Sequence, residues 1–280
     1  MNKRESRRAL MRARAQIRKS QRAKPRRMPR QLPPRAIERE YARELVRIAK
    51  HTRKALEPLM LALPSIMSNV RASNARLDAE PATRAVSLLR RVKKRLAIDQ
   101  KDLRKIARKF ANRTEKYATK QLTKQVVAVV GADPFVGNPG LLVSAKEIFQ
   151  HENVALMENL GAKTFSEIEG IVFRGVASGT GALDIQREIR KRVAISERRA
   201  KVIARDQINT LYGAVNKAKQ ESVGISRFIW RTSHDERVRD EHIEIDGQEF
   251  DWATGHPIEG IPGSPINCRC YASPVLDGLL

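Results

Sequence analysis

The chain has 280 residues and carries 55 Lys and Arg against 31 Asp and Glu, a formal net charge of +24 at pH 7. Hydrophobic residues make up 41% of it, which is enough for a folded core and excludes a wholly disordered chain. No apolar run reaches the ~18 residues of a membrane-spanning helix, and two cysteines are too few for a disulfide scaffold, so the composition predicts a soluble cytoplasmic product.

The positive charge is concentrated in the first half of the chain. Residues 1–130 hold 37 basic and 10 acidic residues, whereas residues 131–280 hold 18 and 21. Such a basic segment attracts polyanions, and because no aromatic ladder accompanies the charge, nucleic acid would be bound through its phosphate backbone. An acidic protein is the alternative partner. Some of these Lys and Arg residues would simply form the solvent-exposed faces of helices and bind no partner.

Residues 1–35 are predicted to form a basic disordered arm. Apolar residues are sparse there, so burial cannot offset the entropy lost on ordering. The residues of this arm that we expect to contact nucleic acid are Arg7, Arg8, Arg12, Arg14, Arg18, Lys19, Arg26 and Arg27.

Residues 36–130 are predicted to be a basic helical region. Apolar residues recur at helical spacing over 36–63, and Pro58 and Pro64 are expected to interrupt that helix. Residues 81–130 are predicted to form one or two long helices with a narrow apolar stripe and a wide basic face. The predicted nucleic-acid contacts on this face are Arg90, Arg91, Lys93 and Lys94. Small apolar side chains make a membrane surface the less favourable partner.

A segment rich in Gly and Pro, residues 131–140, is the predicted linker to a C-terminal domain, residues 141–280. This domain is predicted to begin with separate helices: one ends at Gly161, Thr164 caps the next, and Ser196 caps the last and longest.

The last fifty residues change to a β pattern. Residues 228–230 are predicted to form a strand. The alternation of Ile243 and Ile245 before Asp246-Gly247 predicts a tight hairpin into residues 248–250. The predicted fold class is therefore α+β: mostly helical, with a basic N-terminal helical region and a C-terminal helical domain that ends in a small hairpin-containing motif.

This C-terminal motif contains candidate metal ligands. In an extended segment Cys268 and Cys270 point to the same side, and His242 is a third suitable ligand for zinc. A fourth ligand would be needed, for which the candidates are Asp235, His234 and His256. Two alternatives stay open for the cysteines: reduced structural thiols, or a redox or disulfide pair.

The same segment offers a candidate ion pair and a candidate catalytic cluster. On a helix, Asp235, Arg239 and His242 would share one face, which allows an Asp235–Arg239 ion pair. His234, Asp235 and His242 could also form an acid–base or metal-hydrolase site. Because no Ser or Cys nucleophile with a paired base accompanies them, we expect a structural cluster and no catalytic residue.

The region from residue 204 to residue 274 resembles the head morphogenesis domain of tailed bacteriophages, the family of phage Mu F-like minor head proteins. The resemblance rests on Trp230-Arg-Thr, on Asp235-x-Arg-Val-Arg-x-x-His242, on the Asp246-Gly247 turn and on Cys268-Arg-Cys270. The core of the motif thus comprises Trp230, Asp235, Arg239, His242, Asp246, Gly247, Cys268 and Cys270.

The resemblance implies a minor capsid protein of a tailed phage or prophage, not an enzyme, that acts in prohead assembly near the portal. The implied partners are the portal protein, the major capsid protein and a scaffolding protein, with no membrane; the charge of the front half adds DNA. The implied location is the virion, at the capsid interior or portal vertex, and the host cytoplasm during assembly. Two alternatives come from the residues alone: a metal-dependent nuclease or hydrolase, and a standalone DNA-binding protein.

Overall fold

The computed structural model describes residues 28–72, 79–135 and 143–276. In these residues five long helices precede a small sheet: α1 (Arg35–Ala72), α2 (Ala79–Leu96), α3 (Gln100–Val130), α4 (Val143–Ala177) and α5 (Ala182–Ser222). The remaining elements are β1 (Arg227–Arg231), α6 (Asp240–Glu244), β2 (Glu249–Asp251) and β3 (Tyr271–Pro274). The predicted α+β class, mostly helical with a small C-terminal β motif, is confirmed.

The long helices run through several residues that were expected to end them. Helix α1 continues past Pro58 and Pro64, so the predicted interruption is wrong. An internal proline costs a helix about 3 kcal/mol. Burial of the surrounding apolar face offsets this cost, since Leu56, Leu59 and Leu63 are each at most 1% exposed.

Helices α4 and α5 are likewise continuous where separate helices were predicted. Gly161 and Thr164 lie inside α4, and Ser196 lies inside α5. The Thr164 hydroxyl donates to the Leu160 carbonyl at 2.7 Å and to the Ser196 hydroxyl at 3.0 Å. Side chains that were expected to cap helix ends therefore pair with each other in a buried contact between two helices.

The chain divides into two compact units. One comprises Arg39–Ile106 and Glu152–Ala204, and the other comprises Met1–Glu38, Ala107–His151 and Arg205–Leu280. The predicted segment boundaries, with an arm over 1–35, helices over 36–130, a linker over 131–140 and a domain over 141–280, stay a prediction.

The first of these units is a helical unit with a core of aliphatic side chains. Its core is built by residues of four helices: Leu59 and Leu63 of α1, Leu89 and Val92 of α2, Ile168 and Val172 of α4, and Ile185 and Ile189 of α5.

The second unit contains the sheet, and its strands are antiparallel in the order β2-β1-β3. The predicted strand over 228–230 is confirmed as part of the central strand β1. Phe228 pairs with Phe250 of β2, and Trp230 pairs with Ala272 of β3. The aromatic rings of β1 are buried together with Trp252, Cys268 and Cys270.

The predicted hairpin that begins at Ile243 is wrong. Residues 240–244 form helix α6, and β2 pairs with β1 instead. Ile243 is 57% exposed whereas Ile245 is buried, and His242, three residues before Ile245, is buried with it. This spacing of three is that of a helix face rather than a strand. Asp246-Gly247 still makes a turn, and Gly247 has the positive φ of 87° that glycine tolerates best.

Candidate metal centre

Three potential metal ligands converge in the core of the second unit. His242 comes from α6, and Cys268 and Cys270 come from the segment just before β3. Their ligand atoms all lie within 4.8 Å of one another, and all three residues are buried. The His242 Nδ1 atom is 3.3 Å from the Cys270 Sγ and 3.9 Å from the Cys268 Sγ.

Strand β1 holds α6 in position over the cysteines. The Gly247 N–H donates to the Trp230 carbonyl at 2.8 Å, and the Thr232 N–H donates to the Asp246 carboxylate at 2.9 Å. These bonds fold the chain after β1 back onto the sheet. The His242 ring then lies edge-on to Trp230, with 5.2 Å between the ring centroids.

Glu259 fixes the orientation of the His242 ring. Its carboxylate is 2.9 Å from His242 Nε2, in a loop closed by reciprocal backbone bonds between His256 and Gly260. An Nε2–H donor to this carboxylate leaves the Nδ1 lone pair directed toward the two sulfur atoms. Nothing in the sequence spacing singled out Glu259, which is one of several acids between His242 and Cys268.

The sulfur atom of Cys268 is surrounded by donors. The backbone N–H groups of Gly263 and Cys270 both donate to it at 3.4 Å. The hydrogen bond with Cys270 lowers the pKa of the Cys268 thiol to about 5, and the same interaction raises the pKa of Cys270 above its usual range. A hydrogen bond with Cys268 raises the pKa of His242. The cluster is therefore built to hold a thiolate beside an imidazole.

The approach of α5 to the loop that carries Gly263 is unusually close. A Cβ added at Gly213 of α5 would collide with the carbonyl oxygen of Pro262, and one added at Gly263 would lie 2.7 Å from the Asn209 carbonyl oxygen. Gly263 also has a positive φ of 96°. The absence of side chains here brings the loop against α5 and aims the Gly263 N–H at Cys268.

Asp235, the first candidate for the fourth ligand, is engaged elsewhere. Its carboxylate accepts from Arg269 at 2.7 Å and from Arg35 at 2.8 Å. Partial burial is the largest single influence and raises the pKa of Asp235. The hydrogen bonds from Arg269 and the Arg237 N–H and the charges of Arg269 and Arg35 together outweigh it, so the pKa lies below its usual value. Among the described residues, Asp235 is not one of the groups that converge with His242.

The expected Asp235–Arg239 helix pair is wrong. Residues 235–238 form a turn, and α6 begins only at Asp240, so the spacing of four does not lie on one helix. The Arg239 side chain instead donates to the Ile266 carbonyl at 2.5 Å.

The other two candidates for a fourth ligand also have local partners. His234 Nε2 is 3.5 Å from the Asp246 carboxylate, and His256 Nδ1 accepts from the Glu259 N–H at 3.0 Å. The structure thus brings together three of the predicted metal-site residues, His242, Cys268 and Cys270. Both cysteines are free thiols, which leaves the redox alternative untested.

The second group of predicted site residues lies on helix α2. Arg90, Arg91, Lys93 and Lys94 are all exposed, and none forms an ion pair with another described residue. The opposite side of α2, with Leu89 and Val92, is buried. The eight predicted contacts from Arg7 to Arg27 lie outside the described residues. No described helix has both the length and the apolar character needed to cross a bilayer.

Residues 166–273 match the family model described as "Phage Mu protein F like protein". The matched range contains the whole motif core, from Trp230 to Cys270. Residues 166–273 form a phage Mu F-like domain. The match confirms the resemblance of this part of the chain to phage Mu F-like proteins.

A Haemophilus influenzae protein described as "Uncharacterized protein" is 36% identical over 125 residues. The aligned part covers 45% of this chain and 28% of the relative's length, so the chain spans little more than a quarter of that relative. No solved structure matches the chain.

Proposed function

We propose that this protein is a minor capsid protein that acts in prohead assembly near the portal of a tailed phage or prophage. The observation that carries the proposal is the family match over residues 166–273. In this proposal the C-terminal domain docks on the portal or shell protein, and the sheet with the His242 cluster forms its ordered core.

The burial of the cluster supports a role in assembly over one in turnover. His242, Cys268 and Cys270 are 2%, 4% and 5% exposed, which leaves little room for a substrate beside them. Asp235, the carboxylate that a hydrolase would need, is neutralised by two arginines. The ionisable groups of this motif therefore bind one another and order the fold.

The basic front half supplies a second contact, with DNA. Four basic side chains on α2 are exposed and form no ion pair with another described residue: Arg90, Arg91, Lys93 and Lys94. They can therefore bind the phosphate groups of DNA. An acidic scaffolding protein could bind the same basic side chains. Co-purification distinguishes such a scaffolding protein from DNA.

The end of the predicted arm that the structure describes, from Met28 onward, is held by hydrogen bonds. Buried Gln31 donates to the Gln125 side chain at 2.7 Å and accepts from the Tyr212 hydroxyl at 2.5 Å. The Ser273 hydroxyl of β3 lies 3.1 Å from the Met28 sulfur. These contacts hold Met28 and Gln31 against α3, α5 and β3.

The test is co-purification of the tagged protein from cells that produce particles, with the same tagged protein made alone as the control. We expect portal and major capsid proteins to be recovered only from particle-producing cells. Scaffolding protein in the eluate would identify the acidic partner, and nuclease-sensitive recovery would identify DNA. Recovery of nucleic acid with no head protein would overturn the proposal in favour of a standalone DNA-binding protein.

A metal-dependent nuclease is the second candidate, because an imidazole and two thiols lie within 4.8 Å of one another. Purified full-length protein is incubated with plasmid DNA and Zn²⁺, Mn²⁺ or Mg²⁺. Cleavage that His242→Ala abolishes at an unchanged melting temperature would favour the enzyme over the assembly protein.

A further inference from the structure

The geometry of His242, Cys268 and Cys270 carries an inference that does not depend on the capsid role. We infer that these residues bind one Zn²⁺ ion through His242 Nδ1 and the two sulfur atoms, and that the ion fastens α6 to the segment before β3.

The two nitrogen–sulfur distances in the cluster agree with a zinc coordination sphere. Zn–S bonds of about 2.3 Å and Zn–N bonds of about 2.0–2.1 Å, at tetrahedral angles, separate nitrogen and sulfur ligands by about 3.6 Å. The two distances from His242 Nδ1 to sulfur, 3.3 and 3.9 Å, fall on either side of this value. Both nitrogen–sulfur distances are thus within about 0.3 Å of the separation expected around zinc.

The surroundings of the ligands are those of a prepared metal site. A carboxylate on the far nitrogen of a metal-bound histidine is a common arrangement, and Glu259 takes that place at 2.9 Å from Nε2. Two backbone N–H groups donate to the Cys268 sulfur, as suits a thiolate ligand.

Charge balance favours the same ion. Two thiolates and a neutral imidazole around Zn²⁺ have no net charge, so the complete site can be buried without an uncompensated ion. No fourth His, Cys, Asp or Glu of the described residues joins the group, so these three side chains are the ligands that the described part of the chain supplies.

The ion would be a structural metal that cross-links two segments of the chain. It would join residues 26 positions apart in sequence, His242 and Cys268. The strands on either side have only five, three and four residues, and sheets this small need further support for stability.

The test uses full-length protein purified under reducing conditions without chelator, with zinc measured by elemental analysis. We expect about one zinc per chain for the wild type, and loss of most of it in Cys268→Ser and in His242→Ala. The matched control is His234→Gln, whose ring is outside the cluster, and it should keep the wild-type zinc content.

Two measurements keep the test decisive if those variants fail to fold. Wild-type protein stripped of metal and titrated with Co²⁺ should develop thiolate-to-cobalt charge-transfer absorption and the visible bands of tetrahedral cobalt. Glu259→Gln, which keeps all three ligands, should weaken zinc binding 10- to 100-fold.

The inference is overturned if folded wild-type protein contains no zinc and gives no cobalt spectrum. It is also overturned if the cysteine and histidine variants fold and bind zinc as the wild type does.

Discussion

The two regions singled out by the sequence, the C-terminal His–Cys cluster and the basic face of α2, differ in what the structure adds to them. In the cluster, residues far apart in sequence meet in a buried place, and Glu259, Gly263 and Trp230 surround them. On α2, Arg90 and Arg91 stay exposed and without described ion-pair partners, as their helical spacing already indicated. The buried polar groups that meet around His242 therefore define a specific binding site. The exposed charges of α2 indicate only that a partner would be negatively charged.

The largest expected effect is the loss of a cluster ligand. We expect His242→Ala and Cys268→Ser to lower the free energy of unfolding by about 3–5 kcal/mol in zinc-loaded protein, because a buried ligand is removed and the metal with it. Chemical denaturation of the full chain measures this, with His234→Gln as the control, which should stay within about 0.5 kcal/mol of the wild type. A chelator that leaves the wild-type melting curve unmoved would count against the structural role of the metal.

The next effect concerns the close approach beside the cluster. Gly213→Ala would force the backbone at Pro262 to move, and we expect a loss of about 1–3 kcal/mol in the free energy of unfolding. Gly161→Ala is the matched control: its added Cβ meets nothing within 4 Å inside α4, so it should stabilise the protein by about 0.5–1 kcal/mol. If both variants gave the same result, the loop would not be seated against α5 as described.

A smaller effect comes from Asp235 and depends on pH. Because Arg269 and Arg35 hold the pKa of Asp235 below its unfolded value, its stabilising contribution is complete above the unfolded pKa of about 3.9 and is lost as the pH falls through the folded pKa. Asp235→Asn should cost about 1.5 kcal/mol at pH 7. The difference in free energy of unfolding between wild type and Asp235→Asn should shrink toward zero below pH 3; a constant difference would show that the charge is not responsible.

Substitutions on the basic face of α2 are expected to have the smallest effect on stability and a clear effect on DNA binding. Lys93→Gln with Lys94→Gln should change the free energy of unfolding by less than about 0.5 kcal/mol, since both side chains are exposed. In DNA-binding titrations of the full chain, the slope of log affinity against log salt should fall by up to about 2. Arg187→Gln with Lys191→Gln removes the same charge from residues that pair with Asp184 and Glu188, and should change the slope less.

The α+β fold class and three residues of the cluster, His242, Cys268 and Cys270, could be predicted from the sequence. Alternation along an extended segment predicted that Cys268 and Cys270 face the same way, and the ligand chemistry of imidazole made His242 the third candidate. Local signals failed where tertiary packing opposed them. In isolation Pro58 and Gly161 predict the end of a helix and Ser196 predicts the start of one, but each lies within a helix whose apolar face is buried.

Other features had no local signal at all. The alternation of Ile243 and Ile245 predicted a strand where the structure has the short helix α6. Ile243 is exposed and Ile245 is buried. This difference depends on the pairing of β2 with β1, which the local sequence does not show. Glu259 reaches His242 through a loop whose path depends on the fit of Gly263 against α5. Such long-range contacts leave no period or spacing in the sequence.

In the proposed function the C-terminal domain carries the protein into the phage head, and the basic face of α2 binds DNA. Quantitative mass spectrometry of gradient-purified heads tests this most directly, on particles made with wild type, His242→Ala or the Lys93→Gln, Lys94→Gln double variant. We expect wild type and the double variant at equal copy number in the heads, and His242→Ala to be depleted. Absence of the wild type from heads, or depletion of the double variant alone, would contradict it.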